Sequence, residues 1–283
     1  MKDYSTKEIQ KKLLDLFKVF HYFCQENQLT YYMIGGTLIG ACRHKGFIPW
    51  DDDIDVVMPR KDYNKLMQLS AQNKLPRGIV LKYGKCSDDL VLPYAMFMDK
   101  NTTLVYEMDG CNNRIEGLYI DIFPYDGVGR NKIIATVRNG LGFFKTMELY
   151  YSQMFRKRKN VILDIFNKYA QKKNPIDILN KLEKFANSCS IEESKFMCMI
   201  IDPPFNGGLL PKEVFGKGEL YKFEDSEFYG PANADRYLRS IFGDYMTLPP
   251  VEKRVSHHSF IHIDLEKPYE EYKAELDKHV IKE

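Results

Sequence analysis

The sequence predicts an α+β protein: a small mixed sheet flanked by helices in the N-terminal half, with a mainly helical C-terminal part packed on it. Three observations carry that expectation. Short apolar runs punctuated by Gly and Pro crowd residues 31–123. A capped amphipathic helix precedes them. Residues 132–187 then switch to long helical periodicity. The division expected is a core over 1–130 and a mainly helical part over 131–283 that packs on the core and completes the site. At 283 residues the chain can bury a core without disulfide or metal staples.

Each element has its own signal. Ser5 and Glu8 have capping-box spacing, and Ile9, Leu13, Leu16, Phe17, Phe20 and Cys24 recur at helical intervals, so a helix is expected over 5–27. Tyr31–Ile34 reads as a strand that opens into a tight turn at Gly35-Gly36, with a short helix from Thr37 to Arg43. Ile54–Met58 is a strand stopped by Pro59, and Lys61–Ser70 is helical. Ile79–Tyr83, Tyr94–Met98 and Thr102–Tyr106 are short strands separated by turns. Leu118–Phe123 is another, bounded by Gly117 and Pro124. Asn233–Phe242 reads as a helix closed by Gly243.

Composition narrows the function classes. Forty-one basic against 39 acidic residues leave a formal charge of +2, so no basic footprint for nucleic acid is expected. No apolar run approaches the ~18 residues of a membrane span. The polar start predicts no secretion signal, so the expected location is the cytoplasm. The six cysteines have no CxxC spacing and read as free thiols of a reducing compartment. Nineteen Tyr and 18 Phe suit cationic or sugar-like ligands, although a core accounts for most of them.

The most informative segment is Pro49-Trp50-Asp51-Asp52-Asp53-Ile54-Asp55-Val56-Val57-Met58. Asp53 and Asp55 alternate with Ile54 and Val56, so on a strand they project to one side. Two such carboxylates repel, and burying them unpaired is costly. A divalent cation resolves both problems, and hard oxygen donors favour Mg²⁺ or Mn²⁺ over zinc. Asp121, a lone acid in the apolar strand Leu118–Phe123, is the candidate third ligand; pairing with a buried Arg or with backbone amides is its alternative. Gly35-Gly36-Thr37 follows a strand and opens a helix, where backbone N–H groups could face a phosphate and Thr37 would add a hydroxyl. Arg43, His44 and Lys45 either bring positive charge to the same site or form a solvated basic turn.

The stretch Gly36-Thr37-Leu38-Ile39-Gly40-Ala41-Cys42-Arg43-His44-Lys45-Gly46-Phe47-Ile48-Pro49-Trp50-Asp51-Asp52-Asp53-Ile54-Asp55 closely resembles the signature of the LicD family. The resemblance continues in Ile120-Asp121-Ile122-Phe123-Pro124-Tyr125-Asp126-Gly127 and returns at Tyr237-Leu238, Phe242–Met246, Leu248–Pro250, Arg254 and His257. It implies the nucleotidyltransferase (polymerase β-like) fold. It also implies a metal-dependent transferase that moves phosphocholine, or a related phosphoalcohol, from a CDP-activated donor to a sugar hydroxyl of teichoic acid or lipopolysaccharide. By the resemblance Asp53 and Asp55 match the metal-binding pair, Asp51 a nearby acid of that motif and Asp121 the acid of the second block. The sequence departs from the family at Cys42 and Tyr125, where aliphatic residues are usual.

The implied partners are a CDP-alcohol, CDP-choline first, and a sugar or lipid-linked glycan acceptor. Gly35, Gly36 and Thr37 would hold the donor phosphates, with Arg43, His44 and Lys45 beside them. Arg254 and His257 are candidate phosphate or acceptor contacts; a polar strand or loop with hydrogen-bonded histidines is the alternative. Two other readings stay open: a nucleotidyltransferase passing a nucleoside monophosphate to a small acceptor, and a non-catalytic binding relative. The basic-aromatic stretch 143–159, with Arg156-Lys157-Arg158-Lys159, suggests peripheral contact with the inner membrane leaflet or simply a solvated helix end.

Overall fold

The computed structural model describes residues 4–85, 90–106, 114–153, 160–201, 208–256 and 260–280. Helix α1 (Thr6–Glu26) starts at the predicted capping box, with Ser5 Oγ accepting from the Glu8 amide and the Glu8 carboxylate accepting from the Ser5 amide. Its apolar stripe is buried, and Phe17 stacks on Phe228 at 3.9 Å between ring centroids. Strand β1 (Tyr32–Met33), helix α2 (Gly35–Arg43), strand β2 (Asp55–Pro59) and helix α3 (Arg60–Ala71) follow close to expectation. One detail differs. Gly35 and Gly36 do not form a turn ahead of the helix; they are its first residues.

Strands β3 (Ile79–Lys85), β4 (Val91–Tyr106) and β5 (Arg114–Gly129) form the centre of the sheet. The two strands expected at 94–98 and 102–106 are one. The turn residues Lys100-Asn101 are absorbed as an irregularity in the β4–β5 register between Asp99 and Leu104. Helices α4 (Lys132–Ser152), α5 (Val161–Ala170) and α6 (Pro175–Ala186) fill the predicted helical region, each opened by an Asn side chain that caps free amides. Beyond them lie β6 (Phe196–Cys198), β7 (Leu210–Pro211), β8 (Glu219–Phe223), β9 (Ser226–Gly230), α7 (Ala234–Phe242), β10 (Phe260–Asp264) and α8 (Tyr269–Val280).

The main sheet runs β1-β2-β5-β4-β10, with β3 also on β4, β6 on the far end of β5, and β7 on β6. It is mixed: β2 and β5 are parallel, and the other pairs are antiparallel. β8 and β9 form a separate hairpin. One buried cluster collects side chains from Ile9 to Leu265, so elements after residue 130 pack on the same core as those before it. A buried ion triad ties three elements together. Arg60 at the start of α3 bonds Asp126 of β5 at 2.6 Å and Glu183 of α6 at 2.8 Å. Burial alone would lower the Arg60 pKa, but the two carboxylates outweigh it and raise it, so the guanidinium stays charged. Of the cysteines, Cys24, Cys42, Cys189 and Cys198 are free thiols, and Cys86 and Cys111 lie outside the described residues, as does the Arg156–Lys159 run.

Candidate functional site

The site forms where β1, α2, β2 and β5 meet. Parallel pairing sets Asp55 of β2 directly beside Asp121 of β5. Register partners on adjacent strands show their side chains on one face, with the strands about 4.8 Å apart. Two acids 66 positions apart in the sequence are thereby made neighbours. The ladder is continued by the Asp121 amide donating to the Ile54 carbonyl at 3.0 Å.

Upstream of β2 the acidic run is an extended loop with alternating exposure. Asp51, Asp53 and Asp55 are half-buried, whereas Asp52 and Ile54 are buried. Asp52 turns away from its neighbours and accepts a 2.6 Å bond from Ser256 Oγ. The predicted same-side arrangement of Asp53 and Asp55 therefore agrees with the burial pattern, although Asp53 itself precedes the strand.

Helix α2 points its N-terminus at these acids. Gly35 has φ +54°, and a Cβ there would stand 3.2 Å from Asp55 Oδ2. A Cβ on Gly36 would stand 2.6 Å from Asp51 Oδ2. Both glycines are thus required for close approach, and Gly35 also for its left-handed backbone. Thr37 is buried, and its Oγ1 accepts from the Asp55 amide at 2.9 Å, locking helix and strand together.

The loop carrying the acids is held by residues far away in sequence. Gln10 of α1 donates to the carbonyls of Ile48 and Asp51 at 3.1 and 2.8 Å. Glu224, in the turn between β8 and β9, accepts from the Phe47 amide at 3.0 Å, and its own amide donates to the Lys45 carbonyl at 2.7 Å. Sequence reasoning missed Gln10, Glu224 and Ser256, because a lone polar residue carries no signal of a partner some 40 to 200 positions away.

The basic residues divide. Arg43 donates to the Tyr245 carbonyl at 2.7 Å and to His44 Nε2 at 2.9 Å, so His44 accepts there. Burial, and then the Arg43 charge, lower the His44 pKa and favour its neutral form. Arg254 donates to the Pro249 carbonyl at 2.9 Å and lies 5.8 Å from the Trp50 ring centroid. Burial, and then the Arg254 charge, lower the Arg43 pKa, so the two guanidiniums share one field. Segment 245–256 thus folds back over the acidic loop. Lys45 behaves differently: it has φ +61°, is exposed, and returns its amine to the Cys42 carbonyl at 3.2 Å. His257 lies outside the described residues.

The other side of Asp121 is aromatic. Tyr119, Asp121 and Phe123 alternate with buried Leu118, Ile120 and Ile122, which puts the three on one face of β5. Tyr94 packs on Phe123 at 4.7 Å, and Tyr106 hydrogen-bonds Tyr119 through their hydroxyls at 2.7 Å. Arg114 lies over the Tyr106 and Tyr119 rings and is neutralised by buried Glu116 at 2.6 Å. Burial raises the phenol pKa values of Tyr94 and Tyr119, and the Asp121 charge adds to both. These hydroxyls therefore remain donors at neutral pH. Tyr125, where the sequence departs from the resembled pattern, is buried with its ring 4.5 Å from Phe215, in the core.

Among the described residues no three Asp, Glu, His or Cys side chains already stand where they could hold a metal ion. The all-oxygen pair in register is nonetheless the donor type that suits Mg²⁺, which commonly takes one or two carboxylates and completes its shell with water and substrate phosphates.

Comparison with known proteins agrees in extent and place. Residues 28–162 match the family model described as LicD/FKTN/FKRP, nucleotidyltransferase domain. Over 270 residues the chain is 29% identical to the lipopolysaccharide cholinephosphotransferase LicD of Haemophilus influenzae, covering 91% of this chain and 97% of that protein. Shorter matches join it to uncharacterized proteins of Rickettsia typhi (35% over 79 residues, a quarter of that protein) and Rickettsia prowazekii (38% over 65 residues, 24% of that protein).

Proposed function

Because residues 28–162 match the LicD/FKTN/FKRP family model and 91% of the chain aligns at 29% identity with a lipopolysaccharide cholinephosphotransferase, we propose that this chain belongs to the LicD family and is a phosphoalcohol transferase. It moves phosphocholine from CDP-choline to a sugar hydroxyl of a lipopolysaccharide-type glycan, on a nucleotidyltransferase fold. The observation that carries this reading is the placement of Asp55 and Asp121 as parallel-strand neighbours at the N-terminus of α2. The Haemophilus influenzae relative, a lipopolysaccharide cholinephosphotransferase, suggests the head group and the acceptor class. A CDP-alcohol supplies the activated phosphate, and a teichoic acid sugar would present the same acceptor chemistry.

The reaction joins the acceptor oxygen to the choline-bearing phosphorus and breaks the bond from that phosphorus to the bridging oxygen, releasing CMP. The N-terminus of α2, with Gly35 and Gly36, binds and orients the donor phosphates. Asp121, facing the half-buried aromatic surface, takes the proton of the attacking hydroxyl. Tyr94, Tyr119 and Phe123 are aromatic faces on the Asp121 side of the strand, and a quaternary ammonium is drawn to such faces. Arg43 stands on the donor-phosphate side, and Arg254, which shares its positive field, contacts phosphate or acceptor. A Mg²⁺ or Mn²⁺ held by Asp53, Asp55 and Asp121, with Asp51 beside them, would neutralise charge on the phosphate oxygens.

The test is calorimetric binding of CDP-choline, CDP-ethanolamine, CDP-ribitol, CDP-glycerol and CTP, with Mg²⁺ and then with EDTA. It is followed by product analysis with a lipopolysaccharide acceptor. Mg²⁺-dependent selection of CDP-choline and release of CMP is the expected result. Preference for CTP with release of pyrophosphate would replace the reading with nucleotidyl transfer, and a folded protein that binds none of the five would overturn both.

A further inference from the structure

Helices α4 and α5 carry an apolar face that the core does not use. On α4, Ile133, Ile134, Val137, Leu141 and Phe144 are all exposed, Ile133 at 76% and Phe144 at 65%. They recur at i, i+1, i+4, i+8 and i+11, which on a helix of 3.6 residues per turn keeps them within an arc of about 100°. The opposite side of the same helix, with Ala135, Gly142, Thr146 and Leu149, is buried. Helix α5, packed against α4, repeats the first four intervals with Val161, Ile162, Ile165 and Tyr169, again all exposed, and buries Asn167 and Ala170 on the other side. Scattered surface aliphatics are ordinary, but two adjacent helices with matching solvent-facing stripes are not.

The charge around these stripes is one-sided. Segments 130–153 and 160–173 hold seven Lys or Arg and two acids, a surplus of five on a chain whose whole formal charge is +2. Both acids are already paired, Asp164 with Lys168 and Glu148 with Lys173. A second copy docking through the same face would bring two positive surpluses together. An anionic lipid surface complements both features, taking the aliphatic side chains at the acyl boundary and the cations at the headgroups. Among the described residues no helix is long and apolar enough to cross a membrane, so the contact is interfacial.

We propose that the α4–α5 pair docks this protein on an anionic bilayer, with its two apolar stripes lying in the interface. This surface lies outside the acidic site and does not depend on which phosphoalcohol is transferred. The experiment is flotation of the full chain with phosphatidylcholine vesicles, and with the same vesicles containing phosphatidylglycerol, at low and high salt. The variants are Ile134→Glu/Phe144→Glu and Ile162→Glu/Ile165→Glu. These side chains are exposed, and unchanged circular dichroism and thermal unfolding confirm that the fold is intact. The parent is expected to float with the anionic vesicles, less so at high salt, and each double variant to lose about tenfold or more in partitioning. Parent-like flotation of both variants would overturn the proposal. So would a parent that ignores both vesicle types but sediments as a dimer that the same substitutions dissociate, because a second copy would then cover this face.

Discussion

Gly40→Ala is the perturbation whose consequence can be worked furthest. Gly40 lies inside α2, and a Cβ there would stand 2.4 Å from the Gly46 carbonyl oxygen and 3.3 Å from the Ile48 amide. Ordinary contact begins near 3.5 Å, so backbone must move by about 1 Å, and no side chain can rotate to relieve it. Overpacking of this kind costs up to about 3 kcal/mol, and the helix gains about 1 kcal/mol when Ala replaces Gly, leaving a net loss of about 2 kcal/mol. That corresponds to a fall in Tm of about 5 °C. The segment pushed away is the loop that delivers Asp51 to Asp55, already fixed by Gln10 and Glu224. A displacement of about 1 Å there should lower kcat/KM by about 100-fold. The control is Gly140→Ala in α4, where a Cβ meets nothing within 4 Å. It should raise stability by about 1 kcal/mol and leave turnover unchanged. The assays are thermal unfolding and CMP release from CDP-choline. A Gly40→Ala protein with parental Tm and turnover would refute the reasoning that close approach of α2 to this loop positions the acids.

Other outcomes follow from the same geometry. Asp55→Asn and Asp121→Asn should each cut turnover by about 100- to 1000-fold, the equivalent of several kcal/mol of transition-state charge stabilisation, with circular dichroism unchanged; turnover near parental in either would remove that residue from the chemistry. Arg60→Met should destabilise the fold by about 3–5 kcal/mol in urea denaturation, because it leaves Asp126 buried without its cation. Converting both residues to apolar ones should recover part of that loss. His21 is buried against Tyr31, and burial lowers its pKa, so below the ordinary 6.5 the unfolded chain binds a proton that the folded chain resists. Stability should therefore be fully present above that pH and fall as pH drops below it, and His21→Gln should flatten the change in urea midpoint between pH 7.5 and 5.5.

Much of this molecule was legible in local pattern. The capping box placed α1 within a residue, Pro59 and Gly243 marked real ends, and the alternation through Asp53-Ile54-Asp55 matches the observed burial. These features depend on neighbours a few positions apart, where periodicity and backbone preference act directly. The same holds for Tyr119, Asp121 and Phe123 sharing one face, which could have been read from the alternation of β5.

The turn expected at Gly35-Gly36 and the break expected inside β4 failed for a common reason. Local turn chemistry was overridden by partners, by Asp51 and Asp55 crowding the start of α2, and by β5 pairing along both halves of β4. Strands β6 and β7 were not foreseen, because β6 depends on β5 about 70 positions away and β7 depends on β6, whereas the β8–β9 hairpin is local and its pattern went unread. By itself the sequence determined which residue types could do phosphate chemistry and on which face of their own strand they stand. That Asp121 stands beside Asp55, that Arg254 covers Trp50, and that Gln10 and Glu224 hold the acidic loop were decided only by tertiary structure. Register, close approach and long-range hydrogen bonds are properties of pairs that the chain brings together only on folding.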